Sequence, residues 1–374
     1  MKFVKTEDLK IGMRLAKPIY NNKGVLLYDR NSKLTQQGIE SVRNFKLIGI
    51  YVLEPAEPLP PQTEDDVEFE KFQMVTVFSV EEELKAILER GKNNRIYQLA
   101  ENIVRRYGRL DHKINFLQNL RSKEDFVYKH SLNVAILTAM ICHNMNVRKE
   151  DMTETVVCAI IHDIGKLNAD PQLLVKDDIT EEEEMELKRA EFEGIGIIEA
   201  AFASTPNIKR VVMQAYKRLD AYYKGEEIDK NSNKMVVGAK VLCVAEEYDR
   251  MTAINSAGEP QSEFLQMKVM MDNPEYFDPD AVNALLQSIN LLGKGTCVEL
   301  STGEKALVIA ENTQKIFRPM VLCFSTNTII DLSIALYDDI EIVDIMRTYD
   351  NRYKLKMDTD GVPQVDNATE GSEE

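Results

Sequence analysis

"AIIHDIGKLN", residues 159–168, sets a His beside an Asp at the end of an apolar run, with a Gly and a Lys inside the next turn. Val156, Val157, Ile160 and Ile161 carry the spacing of a buried helix that begins near Asp151 and Glu154. His162 and Asp163 therefore arrive at the inner end of a core helix, where polar side chains need partners or a metal to offset burial. A lone His-Asp pair says little, since a histidine next to an apolar run is more often a satisfied core residue. Upstream, however, His130 opens "HSLNVAILTAMICHNM", whose Val134, Leu137 and Ile141 mark a buried stripe. Two histidines and an aspartate converging from neighbouring helices suit a divalent metal such as Mn²⁺, Fe²⁺ or Mg²⁺.

Outward from this stretch the helical period runs from 79 to 293. Ser79 and Glu82 fit a capping box, followed by stripes at Leu84, Ile87 and Leu88, at Ile96, Leu99, Ile103 and Tyr107, and at Ile114, Leu117 and Leu120. The spacing predicts a mainly α chain built on a helical bundle. Residues 1–54 read as a small α/β module: strand-like Met13 to Tyr20, a turn at "NNKG", a second strand at Val25 to Leu27, a helix over Leu34 to Phe45, and a strand at Ile48 to Leu53. "EPAEPLPPQTEDD" combines four prolines with acidic residues, so 55–78 is expected to be a linker. After "LGKG" the pattern turns to short β runs over 294–346, a small β unit, and 347–374 reads as an acidic disordered tail.

Composition narrows the function. A net charge of −16 over 374 residues, 44% of them hydrophobic, argues against a nucleic-acid polymer or an anionic membrane as partner. No apolar run is long enough to span a bilayer, and the five scattered cysteines form no CxxC pair. These features predict a cytoplasmic chain with reduced thiols.

"HSLNVA" followed by "HDIGK" resembles the HD-GYP branch of the HD phosphohydrolase superfamily, whose active members hydrolyse cyclic di-GMP. The likeness extends to residues 5–54, similar to a small amino-terminal module often fused to such domains, to "VLCVAEEYDRMTA" at 241–253, and to "VELSTGEKALVI" in the β region. It implies a helical HD-type bundle, with His130, His162, Asp163 and Glu246 as metal ligands, Glu246 standing where members carry Asp. It further implies Asp163 and Lys166 as the catalytic pair, and Lys166, Arg218 and Lys240 as candidates to bind a phosphate; for the last two an ordinary solvated cation is the competing reading.

Measured against the same pattern, several ligands are missing. Ala190 stands where members carry a His, Ala215 and Tyr216 where they carry a His pair, and Phe126 where some carry a Glu; the DGxGYP loop reads "DAYYKGEE". His162 is the last of four histidines, so later segments offer only carboxylates. Two functions compete: a degenerate, non-catalytic binding or regulatory module in cyclic-dinucleotide signalling, working through cyclic di-GMP, a related phosphate ligand or protein contacts, and a residual one-metal phosphohydrolase. The cofactor is accordingly one divalent metal (Mn²⁺, Fe²⁺ or Mg²⁺) or none.

Overall fold

A computed structural model describes residues 2–20, 25–53, 63–93, 95–176, 179–228, 234–253, 260–346, 353–357 and 363–367. The chain opens with β1 (Lys2–Lys5), β2 (Arg14–Leu15), β3 (Ile19–Tyr20), β4 (Leu26–Tyr28), α1 (Gln36–Asn44) and β5 (Gly49–Leu53). β5 lies between β1 and β2 in an antiparallel sheet, with Lys2 opposite Val52 and Leu15 opposite the same residue on the other side. The helix starts where the Thr35 side chain accepts from the Gly38 amide, a cap that satisfies one of the orphan donors of the first turn. Leu15, Ile19, Leu34, Val42 and Ile50 close a core of their own beneath it. The turn expected at "NNKG" lies outside the described residues.

The helical region begins earlier than its sequence suggests. α2 spans Glu64–Arg90, and its capping box is formed by Thr63 and Asp66 rather than by Ser79 and Glu82. The Asp66 carboxylate accepts from the Thr63 amide at 2.8 Å, and three acidic residues in the first turn complement the helix dipole. The expected linker over 55–78 is thereby corrected from residue 63 onward: the last proline of the spacer is Pro61, and Phe69, Gln73, Val77, Val80, Leu84 and Ile87 form one continuous buried face. Residues 54–62 lie outside the described ones.

Among the described residues this region continues with α3 (Ile96–Tyr107), α4 (Phe126–Asn144), α5 (Lys149–Ile161), α6 (Glu181–Ala201), α7 (Pro206–Lys224), α8 (Val237–Thr252), α9 (Glu263–Asp272) and α10 (Pro279–Ser288). α4 is buried on every side from His130 to Cys142 and packs against α2, α3, α5, α8 and α10, as a helix apolar all round must. The helix expected through Ile114, Leu117 and Leu120 is absent. That stretch is an extended strut: Ile114 bridges Ile289 and joins the helical core, whereas Leu120 packs on the amino-terminal core. Its apolar residues serve two cores in opposite directions, so their helical spacing is coincidental.

β6 (Cys297–Leu300), β7 (Lys305–Ala310), β8 (Met320–Cys323), β9 (Ile329–Asp331) and β10 (Ile342–Ile345) form an antiparallel sheet in the order β10-β6-β7-β8-β9. Val298, Val308, Val321 and Ile342 join the core of the helices. Within the expected disordered tail, β11 (Tyr353–Met357) and β12 (Pro363–Asn367) pair antiparallel, Leu355 opposite Val365. "YKLKM" alternates apolar and basic residues, and "DG" between the strands is a hairpin signal, which accounts for that difference. The rest of the tail lies outside the described residues. All five cysteines are free, four of them buried. Among the described residues no helix is long and apolar enough to cross a membrane.

Candidate metal centre

Three helices deliver the cluster. His130 stands one turn into α4, His162 and Asp163 follow the last residue of α5, and Glu246 lies in the middle of α8. α5 stops at Ile161 and the chain tightens into a 3₁₀ turn over Ile164–Asn168, which swings Asp163 back toward α4. Gly165 makes this possible. A Cβ there would lie 2.0 Å from the carbonyl oxygen of Ala190, and one on Gly194 would lie 2.8 Å from the Gly165 nitrogen, so two facing glycines let α6 press directly on the turn.

Each of the four residues offers one ligand atom, and those atoms all lie within 4.8 Å of one another. Nε2 of His130 is 2.8 Å and Nε2 of His162 is 2.7 Å from the same oxygen, Oε2 of Glu246. Asp163 closes the group, its Oδ2 3.5 Å from Nε2 of His130. Both rings are oriented from behind: Nδ1 of His130 donates to Asp249 at 2.6 Å, and Nδ1 of His162 donates to the Ala159 carbonyl at 2.7 Å. With both Nδ1 atoms engaged, both Nε2 atoms point inward, the orientation a metal-ligating histidine needs. Two imidazoles and two carboxylates in a buried pocket fit one divalent metal of the Mn²⁺ or Fe²⁺ kind.

The electrostatics are those of a site in which metal and proton compete. Burial alone would depress the His130 imidazolium, but the carboxylates of Glu246 and Asp249 raise its pKa to about 9. At His162 burial again disfavours the imidazolium, but the carboxylates of Asp163 and Glu246 outweigh it and raise the pKa. Glu246 is held well below the carboxylate range because the two imidazoles overcome its desolvation. Asp163 is lowered too, against its burial, by Lys166 and His162.

A buried polar network stands behind His130. Asp249 accepts from Arg121 Nη2 at 2.5 Å, both side chains being fully buried, and from Asn133 Nδ2 at 2.9 Å. Asn133 in turn donates to Gln118 and accepts from Gln73. Phe126, in the position where some relatives of the motif would place a Glu, stacks on the His130 ring and lies beneath the Arg121 guanidinium. None of Asp249, Arg121 and Asn133 was singled out by the sequence. Asp249 carried a usable signal, since it lies three residues after Glu246 and so shares its face of α8. Arg121 carried none, because it sits on the strut whose spacing imitates a helix.

The phosphate candidates divide. Lys166 is at the cluster, paired with Asp163 at 2.8 Å and with Glu191 of α6 at 3.0 Å. Arg218 donates instead to the Glu275 carbonyl, and Lys240 pairs with Asp278 at 2.7 Å, so neither is brought to the centre. Arg250, which the sequence did not suggest, lies within electrostatic reach of Asp163 and Glu191 and stacks on Tyr223. Ala190 is buried against Gly165, Ala215 is buried in the core with the Cys243 thiol on its carbonyl, and Tyr216 stands beside Glu191. "DAYY" forms the last turn of α7, which Gly225 ends in the left-handed conformation at φ 63°. His112 bonds Asp111 and Asp65 at the surface, away from the cluster.

A helical bundle that joins a histidine, a His-Asp pair and a later carboxylate in this order defines an HD domain. The HD domain family matches residues 127–251, which carry all four cluster residues. It is similar to a cyclic di-GMP phosphodiesterase of Pseudomonas aeruginosa, with 20% identity over 209 residues that cover 56% of this chain and 50% of the relative. The chain thus spans about half the length of that curated relative. The solved structure of an HDG"Y"P protein from Bdellovibrio bacteriovorus aligns over 76% of this chain and 97% of its own, at 14% identity and a TM-score of 0.46.

Proposed function

We propose that this chain is a regulatory HD-GYP-like module of cyclic-dinucleotide signalling, which takes up one divalent metal at His130, His162, Asp163 and Glu246 and binds cyclic di-GMP or a related phosphate ligand without cleaving it. The observation that carries the proposal is the Lys166 ammonium held between Asp163 and Glu191. Phosphodiester cleavage calls for an activated water, a second charge on the phosphoryl oxygens and a loop that fixes the substrate in line. On the α6 side of Asp163 this chain presents a salt-bridged lysine, with Ala190, Ala215 and Tyr216 in place of imidazoles, and Asp220 to Lys224, the first part of the signature loop, continue a helix. A bound metal would supply Lewis acidity; the residues around it supply orientation and charge, but no second imidazole set. The free thiols fit a reducing, cytoplasmic setting, and the activity of the Pseudomonas relative supports the choice of ligand.

The second reading, a residual one-metal phosphohydrolase, is favoured by the completeness of the four-ligand cluster and by the Asp249 brace behind it. Elemental analysis of protein purified without chelator, calorimetry with cyclic di-GMP, and product analysis with Mn²⁺, Fe²⁺ and Mg²⁺ separate the two. Binding without linear product supports the regulatory module. Metal-dependent hydrolysis that disappears in the His162→Ala, Asp163→Ala double variant overturns it in favour of the enzyme.

A further inference from the structure

The amino-terminal module grips the strut 117–122 by its backbone. Leu47 and Ser122 form an antiparallel bridge, Ile48 N donates to the Arg121 carbonyl at 3.1 Å, and Lys17 Nζ donates to the Gln118 carbonyl at 2.7 Å. Leu120 packs its side chain on the module's core. The bundle takes the alternate carbonyls, Leu117 from Gln73 and Leu120 from Lys129. Gln118 and Arg121, whose carbonyls the module holds, are the residues whose buried side chains reach the network behind His130. Arg121 Nη2 donates to Oδ2 of Asp249, the oxygen that also accepts from Nδ1 of His130. Gln118 Oε1 accepts from Asn133 Nδ2 at 2.9 Å, and the same nitrogen donates to Oδ1 of Asp249 at 2.9 Å. Both routes out of the module end on one carboxylate.

The Arg121 guanidinium is not placed by its own hydrogen bonds alone. It is fully buried over the Phe126 ring, and its Nη1 has no hydrogen-bond partner. A group free to optimise its bonds would not leave a buried donor unsatisfied, because that is costly. Its position is therefore imposed by its backbone, and the backbone is bonded to the module. Asp249 is fully buried as well, and among the described residues its side-chain donors are His130, Arg121 and Asn133. A shift of the strut moves Arg121 directly and Asn133 through Gln118, and the imidazole of His130 follows the carboxylate. A preorganised site tolerates displacements of only about 0.5 Å.

We propose that the amino-terminal module is a positioning element of the metal centre: by holding Gln118 and Arg121 it fixes Asp249, and through Asp249 the His130 imidazole that points Nε2 into the cluster. The test has one readout without metal and one that rests on the metal reading above. In the metal-free full chain, NMR follows the His130 Nδ1 proton, assigned by its loss in Asp249→Ala. Lys17→Met removes the donor to Gln118, and Leu120→Ala removes the apolar contact with the module. Each should speed solvent exchange of that proton by at least about tenfold. Each should also weaken Mn²⁺ binding by at least about threefold, part of the roughly 10–100-fold that outright loss of an outer partner costs. Leu322→Ala, in a separate small core with Leu307 and Phe324, loosens packing away from the strut and should change neither readout. In the Asp249→Ala background the two module substitutions should weaken Mn²⁺ no further, because the route they act on is already cut. Unchanged exchange in both module variants, an equal change in Leu322→Ala, or the full additional loss of affinity in the Asp249→Ala background overturns the proposal. A wild-type chain that takes up no Mn²⁺ removes the metal reading, and the proton exchange then decides the positioning role alone.

Discussion

Asp249 and His130 are joined by a 2.6 Å hydrogen bond from Nδ1 to Oδ2, so that α8 grips the same imidazole from both sides: Glu246 at Nε2 and, one turn on, Asp249 at Nδ1. Partners of this kind fix ring orientation and raise ligand basicity, and losing one typically lowers metal affinity by about 10–100-fold. Asp249→Ala is expected to weaken Mn²⁺ binding by that factor while leaving the four donor atoms in place. Competition titration against a fluorescent chelator measures it; an unchanged affinity would remove Asp249 from the site.

Arg121 and Asp249 are both fully buried, so breaking the pair strands a carboxylate with only Asn133 and His130 for compensation. Arg121→Met should cost about 3–5 kcal/mol of folding stability, the range for removing one partner of a buried ion pair. Urea denaturation gives the number. A loss below ~1 kcal/mol would place the pair among the weak, solvent-screened bridges instead.

The pH dependence follows from His130, whose pKa rises from 6.5 to about 9 in the metal-free fold. Because the folded value lies above the unfolded one, the imidazolium stabilises the fold fully below pH 6.5, and this contribution disappears as pH climbs through 9. Metal competes with that proton, so its affinity should strengthen across the same window, by up to roughly tenfold per pH unit for one proton displaced. Melting curves without metal should fall between these limits, and titrations with Mn²⁺ should tighten. Affinity that is flat with pH would show that His130 does not exchange a proton for the ion.

Gly165 is the position where one methyl group tests the whole turn. A Cβ placed 2.0 Å from the Ala190 carbonyl cannot be relieved by a flexible side chain, because the obstacle is backbone. Gly165→Ala should destabilise by about 3 kcal/mol or more and weaken metal binding by moving Asp163. Gly196→Ala on the same helix has open space around it and should gain about 0.5–1 kcal/mol. Chemical denaturation of the two variants side by side would expose a permissive turn if both behaved alike.

Much of this molecule was legible in the order of its residues. The apolar spacing of α4 and α5, and the His, His-Asp and carboxylate series along the chain, are local patterns, and a helix converts local spacing into a face without reference to anything distant. The capping signal at Ser79 misled because a buried stripe follows it as well, but that stripe already begins at Phe69, which leaves Ser79 inside the helix and the cap at Thr63, directly behind a proline-rich stretch. What the tertiary structure decided is everything that depends on two cores or two helices at once. Leu117 to Ser122 has the spacing of a helix yet forms none, because its carbonyls are taken from both sides, Gln118 by Lys17 and Arg121 by Ile48 of the module, Leu117 by Gln73 and Leu120 by Lys129 of the bundle, and its side chains divide between two cores. The pairing of Arg121 with Asp249, of Lys166 with Glu191, and the departure of Arg218 and Lys240 to other partners join residues far apart in sequence or on separate elements. Charge attraction at such separations has no sequence period, so only the packing that removes the water and brings the groups within reach selects one partner over another.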